Sequence, residues 1–194
     1  MARQTAISIN TIPIGPLGII GMPGCEELTD KIDQYLVKWR KTQAIEHAES
    51  IAFFGYQRDS YKIDITIPRF GSGEGKGVIN ESVRGYDIYI VCDVFNYSCT
   101  YNMYGKEVCM SPDDHFADLK RVISALCSKP KRVSVIMPML YEGRQHKRSS
   151  RESLDCAMAL KELVHLGVEN IITFDAHDQR VQNAIPDKSF ENVM

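Results

Sequence analysis

Residues 132–174 read RVSVIMPMLYEGRQHKRSSRESLDCAMALKELVHLGVENIITF, and their grammar decides the fold. Arg132–Met137 is a short apolar run that stops at Pro138, as a strand buried on both faces does. Ser153–Leu166 carries apolar residues at helical spacing and is stopped by Gly167; Asn170–Phe174 is a second buried strand. Strand, helix and strand joined by short links make a βαβ unit, which requires a parallel sheet.

Working outward, Asp87–Val94 is another near-continuous apolar run. Phe116, Leu119, Val122, Ile123 and Leu126 form one helical face behind the start signal Ser111-Pro112-Asp113-Asp114. Leu17-Gly18-Ile19-Ile20-Gly21 reads as a buried strand. After Pro23-Gly24, the residues Leu28, Ile32, Tyr35, Leu36 and Trp39 recur at helical spacing. The stretch from Arg40 to Ser60 is expected to extend that helix and add a strand near Ile51–Phe54. Ile63, Ile65 and Ile67 alternate as in a half-exposed strand, with Pro68 weakening its end. The expected fold is α/β: one domain over residues 1–194, a doubly wound, mostly parallel sheet with flanking helices, and a β-hairpin extension near 61–82.

Composition narrows the function classes. The chain has 194 residues, 44% hydrophobic and 25% charged, which fits a globular domain and argues against disorder. Its 23 basic and 25 acidic residues nearly cancel, against a general nucleic-acid binder. No apolar run approaches the ~20 residues needed to cross a bilayer, and the N-terminus has no secretion-signal pattern. A cytoplasmic location is expected. The six cysteines form no C-x-x-C pair, so reduced thiols are expected rather than a disulfide frame or a zinc site.

Three polar segments invite a chemical reading. The glycine-rich Phe70-Gly71-Ser72-Gly73-Glu74-Gly75-Lys76-Gly77 is not a Walker A loop, which would need Gly at Phe70 and Ser or Thr at Gly77. Val78-Ile79 continue as strand rather than helix, against a dinucleotide loop; a hairpin turn is the plain reading. Arg144-Gln145-His146-Lys147-Arg148 with Arg151 packs four permanent cations just past a strand end. That is either a polyphosphate clamp or a solvated basic face. Asp175 and His177, two apart after the Ile171–Phe174 strand, can converge on a divalent ion. Ligands of open parallel sheets bind beyond the carboxyl ends of the strands, where the second and third segments fall. His47, His115 and His165 lie on expected helices without partners and read as structural.

Taken in order, these segments resemble the amino-terminal half of ribose-phosphate pyrophosphokinase. The best-matched run is Asn80-Glu81-Ser82-Val83-Arg84-Gly85 ahead of the Asp87–Val91 strand. Phe70-Gly71-Ser72-Gly73-Glu74 resembles the family's Phe-Ser-Asp-Gly-Glu hairpin, Arg144-Gln145-His146 its Arg-Gln-Asp motif, and Asp175-Ala176-His177 its Asp-Leu-His motif. The spacing holds from Leu17 to Met194, apart from insertions near 40–60 and 96–110.

The resemblance implies an ATP site. Phe70 would stack on adenine, Ser72 and Glu74 would contact the base, and Arg144, Gln145 and His146 would hold the nucleotide. Asp175 and His177 would place Mg²⁺. Ser82 and Arg84 would line a regulatory phosphate site between subunits, so a homo-oligomer is expected. The full enzyme would join ATP and ribose 5-phosphate into phosphoribosyl pyrophosphate, with ribose 5-phosphate held by a second domain that the 194 residues do not contain. The chain is therefore expected to be a piece of a longer protein and inactive alone. Ser72 stands where the family has Asp or Asn, and His146 stands where it has Asp. A non-catalytic regulatory homologue, or an unrelated nucleotide- or sugar-phosphate-binding module, are the other readings.

Overall fold

A computed structural model describes residues 13–46 and 57–193. In chain order the elements are β1 (Leu17–Gly21), α1 (Glu26–Glu46), β2 (Ile65–Thr66), β3 (Val78–Ile79), β4 (Asp87–Val91), β5 (Thr100–Met103) and β6 (Lys106–Cys109). They continue with α2 (Pro112–Ala125), β7 (Arg132–Ile136), α3 (Asp155–His165), β8 (Asn170–Thr173), a short 3-10 helix (Gln179–Ala184) and β9 (Ser189–Asn192). Five strands form one parallel sheet in the order β1-β4-β7-β8-β9, with Ile19 opposite Tyr89, Ile90 opposite Val135, and Val135 opposite Ile171. Outside β1, residues 61–63 run alongside it: Ile19 N–H donates to the Tyr61 carbonyl and Ile63 N–H to the Ile19 carbonyl, both at 2.8 Å.

The sheet therefore grows from β1 in two directions, first through α1 to residues 61–63 and then to β4 on the other side. Right-handed crossovers in opposite directions place their helices on opposite faces. The core divides accordingly. Ile19, Tyr61 and Val91 pack with Ile32, Leu36 and Val37 of α1 on one face. Ile20, Ile88, Ile90 and Val135 pack with Leu119 and Val122 of α2 and Leu160 and Leu163 of α3 on the other. The doubly wound sheet with flanking helices is as the sequence reading has it.

The elements have local causes. α2 opens on a capping box in which Ser111 and Asp114 satisfy each other's backbone N–H groups, with Pro112 in the first turn. α3 ends before Gly167, whose φ of +97° suits a residue without a Cβ. β2 and β3 pair antiparallel and form the hairpin extension.

Several local readings need correction. Leu28 and Tyr35 are 37% and 68% exposed, because the fully buried positions of α1 are Thr29 and Asp33. Asp33 accepts from Tyr61 N–H at 2.7 Å and the Ser60 hydroxyl at 2.9 Å, so a polar anchor takes the place of an apolar one. The 61–69 segment is two pieces rather than one strand, 61–63 against β1 and β2 against β3. His115 has a partner, since its Nε2 lies 2.8 Å from the Asn96 carbonyl in a buried setting. The strand expected near Ile51–Phe54, like His47, lies outside the described residues. All six cysteines are unpaired thiols, three of them buried. No helix among the described residues is long and apolar enough to cross a membrane.

Candidate functional site

β7 and β8 end side by side, and the chain leaves both in the same direction. Backbone bonds hold the outgoing segments together: Phe174 and Asp175 N–H donate to the Pro138 carbonyl at 3.1 and 3.2 Å, and Leu140 N–H donates to the Asp175 carbonyl at 3.3 Å. Tyr141 then stacks on Phe116, with ring centroids 4.2 Å apart, and its hydroxyl donates to Asp113 at 2.6 Å. A turn through Glu142, at φ +54°, brings Gln145 N–H to the Glu142 carbonyl at 2.9 Å. The Gln145 side-chain amide donates to the Ser153 carbonyl at 2.7 Å, and Cys156 N–H donates to the Gln145 carbonyl at 3.3 Å. Residues 144–146 are thus fixed by β7, by the α3 start and by their own turn.

This loop meets the β8 exit through His146. Its Nδ1 is 3.2 Å from the Arg144 carbonyl, its Nε2 is 3.4 Å from Asp178 Oδ2, and its ring lies edge-on to His177 with centroids 5.3 Å apart. Asp178 caps the 3-10 helix and is gripped by the Arg180 guanidinium at 2.5 Å, which holds its carboxyl well below the ordinary carboxylate range. Asp175 and His177 flank buried Ala176 and are both exposed. Arg144, Lys147, Arg148 and Arg151 are exposed, and their cationic groups make no ion pair among the described residues. Unpaired guanidinium groups at strand carboxyl ends are suited to phosphate oxygens, which they meet bidentately.

The structure does not bring every predicted residue to this edge. Phe70 is 58% exposed on a turn closed by Phe70 N–H to the Glu74 carbonyl at 2.8 Å, and the Ser72 hydroxyl donates to Glu74 Oε2 at 2.7 Å. The β5–β6 hairpin braces that turn: Tyr104 N–H donates to the Gly71 carbonyl at 2.8 Å, and the Arg69 guanidinium lies 4.5 Å over the Tyr101 ring. Among the described residues, no hydrogen bond, ion pair or ring contact links the turn to residues 144–151 or 175–178. Ser82 and Arg84 are exposed on the loop entering β4, at the amino ends of the strands and so at the opposite sheet edge.

A groove of about 630 Å³ lies elsewhere, beside the carboxyl end of β1. Its wall includes Glu26, Asp30, Asp64 and Glu81 against the single ammonium of Lys62, which would repel a polyphosphate. Among the described residues, no three His, Cys, Asp or Glu side chains are grouped to hold a metal ion. Asp175 and His177 offer a partial set of one carboxylate and one imidazole. That fits Mg²⁺, which keeps several waters and completes its shell on substrate phosphates. Sequence reasoning gave Asp178, Arg180 and Tyr141 no role; the Asp-x-Arg spacing signals the first two, while Tyr141, in the loop beyond β7, carries no local signal.

Comparison with known proteins accords with this architecture. A phosphoribosylpyrophosphate synthetase structure from Mycobacterium smegmatis superposes with a TM-score of 0.65 over 92% of this chain and 48% of that one, at 20% identity. The ribose-phosphate pyrophosphokinases of Vibrio vulnificus (strain YJ016) and Pasteurella multocida (strain Pm70) are each 27% identical over 122 residues. The match covers 61% of this chain and 34% of each relative, so it spans about a third of the relatives' length. A family model described as the N-terminal domain of ribose phosphate pyrophosphokinase matches residues 17–167, and the chain belongs to that family.

Proposed function

We propose that this chain is the ATP- and Mg²⁺-binding amino-terminal half of a ribose-phosphate diphosphokinase. In the complete protein, the β,γ-pyrophosphoryl group of ATP passes to the C1 hydroxyl of ribose 5-phosphate, giving phosphoribosyl pyrophosphate and AMP. One observation supports the reading above others: the loop bearing Arg144, Gln145 and His146 is pinned beside Asp175 and His177 at the carboxyl ends of β7 and β8.

Such transfers are catalysed by positioning and by stabilising negative charge, so fixed cations count for more than acid–base residues. Arg144 grips phosphate oxygens, while Gln145 sets the loop by its bond to Ser153. Asp175 and His177 hold Mg²⁺, which when bound neutralises phosphate charge. Phe70 stacks on the adenine of a nucleotide held by a neighbouring copy, with Ser72 and Glu74 at the base edge. Its exposure, and its lack of contact with the Arg144 loop, support a site shared between copies. Ser82 and Arg84 at the other sheet edge form a separate regulatory phosphate site, also between copies. A cytoplasmic homo-oligomer, with ribose 5-phosphate held by a second domain, completes the proposal.

Calorimetric titration of the oligomeric protein with Mg-ATP tests it. Replacing Arg144 by Ala removes a charge-assisted contact and is expected to weaken binding about 10- to 150-fold. Replacing exposed Lys161 on α3 leaves it unchanged. Equal affinities of wild type and Arg144→Ala contradict the clamp. A non-catalytic homologue is the second reading, favoured by Glu74 being occupied by Ser72 and by His146 in place of a carboxylate. It predicts nucleotide binding without AMP release even in the complete protein.

A further inference from the structure

The fold sets a second exposed aromatic against the Phe70 turn. We infer that Tyr104, at the tip of the β5–β6 hairpin, joins Phe70 in a two-ring seat for a nucleotide base. The inference rests on the proposed nucleotide reading for its guest, the base of a nucleotide whose phosphates are held by a neighbouring copy. It adds a base-positioning residue from the 96–110 stretch that interrupts the family spacing.

The backbone of the hairpin singles Tyr104 out. Met103 pairs with Lys106, which leaves Tyr104 and Gly105 as a two-residue turn with φ of 51° and 78°. Such turns favour Asn-Gly or Gly-Gly, because both residues must be left-handed. A bulky aromatic there is a conformational outlier, and an outlier that the fold retains points to a use for its side chain. Nothing inside the chain uses it. Tyr104 is 80% exposed, and among the described residues its side chain makes no hydrogen bond or ring contact. Its backbone N–H alone is engaged, donating to the Gly71 carbonyl at 2.8 Å. That bond ties Tyr104 to the residue next to Phe70.

The hairpin and the turn are braced as one block. A Cβ on Gly73 would meet Met103 Sδ at 2.9 Å and the Tyr101 ring at 3.3 Å, so the hairpin lies flush against the turn. Arg69 donates to the Gly73 carbonyl at 3.2 Å, and its guanidinium sits 4.5 Å from the Tyr101 ring centroid. The same guanidinium is paired with buried Asp118 of α2. Phe70 and Tyr104 are thus carried by one block anchored on a core helix.

Two exposed rings on such a block suit a flat guest. A base between two rings spaces them by about 7 Å, twice the ~3.5 Å contact distance, so rings already in contact would leave no slot. Phe70 and Tyr104 make no ring contact with each other. The Glu74 carboxylate, tied to the Ser72 hydroxyl at 2.7 Å in the same turn, supplies an acceptor for a base amino group. Aromatic stacking binds a base through its face, whatever the phosphates do.

The test compares Mg-ATP with inorganic tripolyphosphate, which has no base, by calorimetry on the oligomeric 194-residue protein. Asn tolerates the left-handed turn better than Tyr, so Tyr104→Asn is expected to melt no earlier than wild type while lacking the ring. Tyr104→Gly serves beside it. Both variants should bind ATP about fivefold or more weakly, Tyr104→Phe as wild type does, and all of them should bind tripolyphosphate equally. Equal ATP affinity of wild type, Tyr104→Asn and Tyr104→Gly overturns the inference; a loss in Phe70→Ala alone then leaves the nucleotide reading standing without Tyr104. A matching loss for tripolyphosphate, or dissociation of the Tyr104→Asn oligomer in sedimentation, also overturns it and makes Tyr104 a contact between copies. Arg144→Ala is the converse control. If it binds both ligands as wild type does while Tyr104→Asn loses ATP, the phosphate clamp fails and the base seat stands.

Discussion

At the scale of the residue, burial decides which groups can react. Burial pushes the Cys25 and Cys156 thiols up to about 11, and that of fully buried Cys92 well above its ordinary value. A thiol titrating near 11 is about one part in a thousand thiolate at pH 8, and only the thiolate is nucleophilic. Because these values are raised, reactivity grows with pH, about tenfold from pH 8 to pH 9. Iodoacetamide at pH 8 is expected to label exposed Cys109 and Cys127 in the native protein, and Cys25, Cys92 and Cys156 only after unfolding. Mass spectrometry of timed samples checks this; native labelling of Cys25 as fast as Cys109 contradicts it. Residue types at the candidate site were legible in the sequence: Arg144, Gln145, Asp175 and His177 could be picked out because they follow strand ends. The contact of His146 with His177 and Asp178 was not legible. It depends on the backbone bonds from Leu140 and Asp175 that tie two segments 35 residues apart in the chain, and no local pattern encodes them.

Among the elements, α2 joins the sheet to the hairpin extension. Its capping box is worth about 1 kcal/mol, so Ser111→Ala is expected to lower urea stability by that amount. Leu119, fully buried against the sheet, should cost roughly 2–5 kcal/mol as alanine. The hairpin approaches α2 most closely at Gly77, where an added Cβ would meet the Arg121 carbonyl carbon and oxygen at 2.7 Å. Gly77→Ala is expected to lift the hairpin and cost ~1–3 kcal/mol. Gly71→Ala, with open space around its Cβ, should be neutral; equal melting points for the two alanine variants contradict this packing. The same helix shows why some elements could be read in advance. Its start signal and apolar face are both local, and so are the apolar runs of β1, β4, β7 and β8. β9 places only Phe190 against the core, and the β5–β6 hairpin turns through Tyr104-Gly105 at φ 51° and 78° with few β-branched residues. Each of these strands is only four residues long, too short for an alternating pattern to stand out in the sequence. α1 was found, and Ile32 and Leu36 of its expected face do pack on the core; Leu28 and Tyr35 do not, because Thr29 and Asp33 take the buried positions.

For the whole molecule, the sheet separates three surfaces: the cation-rich carboxyl edge of β7 and β8, the amino edge with Ser82 and Arg84, and the braced aromatic turn at Phe70. On the proposed reading, catalysis needs a ribose 5-phosphate cradle from a second domain, and well-oriented reactants are worth ~7–11 kcal/mol of barrier. The 194-residue polypeptide is therefore expected to release AMP from ATP and ribose 5-phosphate at less than a tenth of the rate of a full-length relative. Turnover within tenfold would show the catalytic parts to be misplaced. On the same reading, nucleotide phosphates sit where β7 and β8 end. Hydrogen–deuterium exchange, read by mass spectrometry with and without Mg-ATP, tests it most directly. Added protection is predicted in peptides spanning 139–156 and 174–182, with no change in the acidic groove formed by residues 21–30 and 62–67. Protection confined to that groove, or none at saturating nucleotide, would rule out a phosphate site at the ends of β7 and β8.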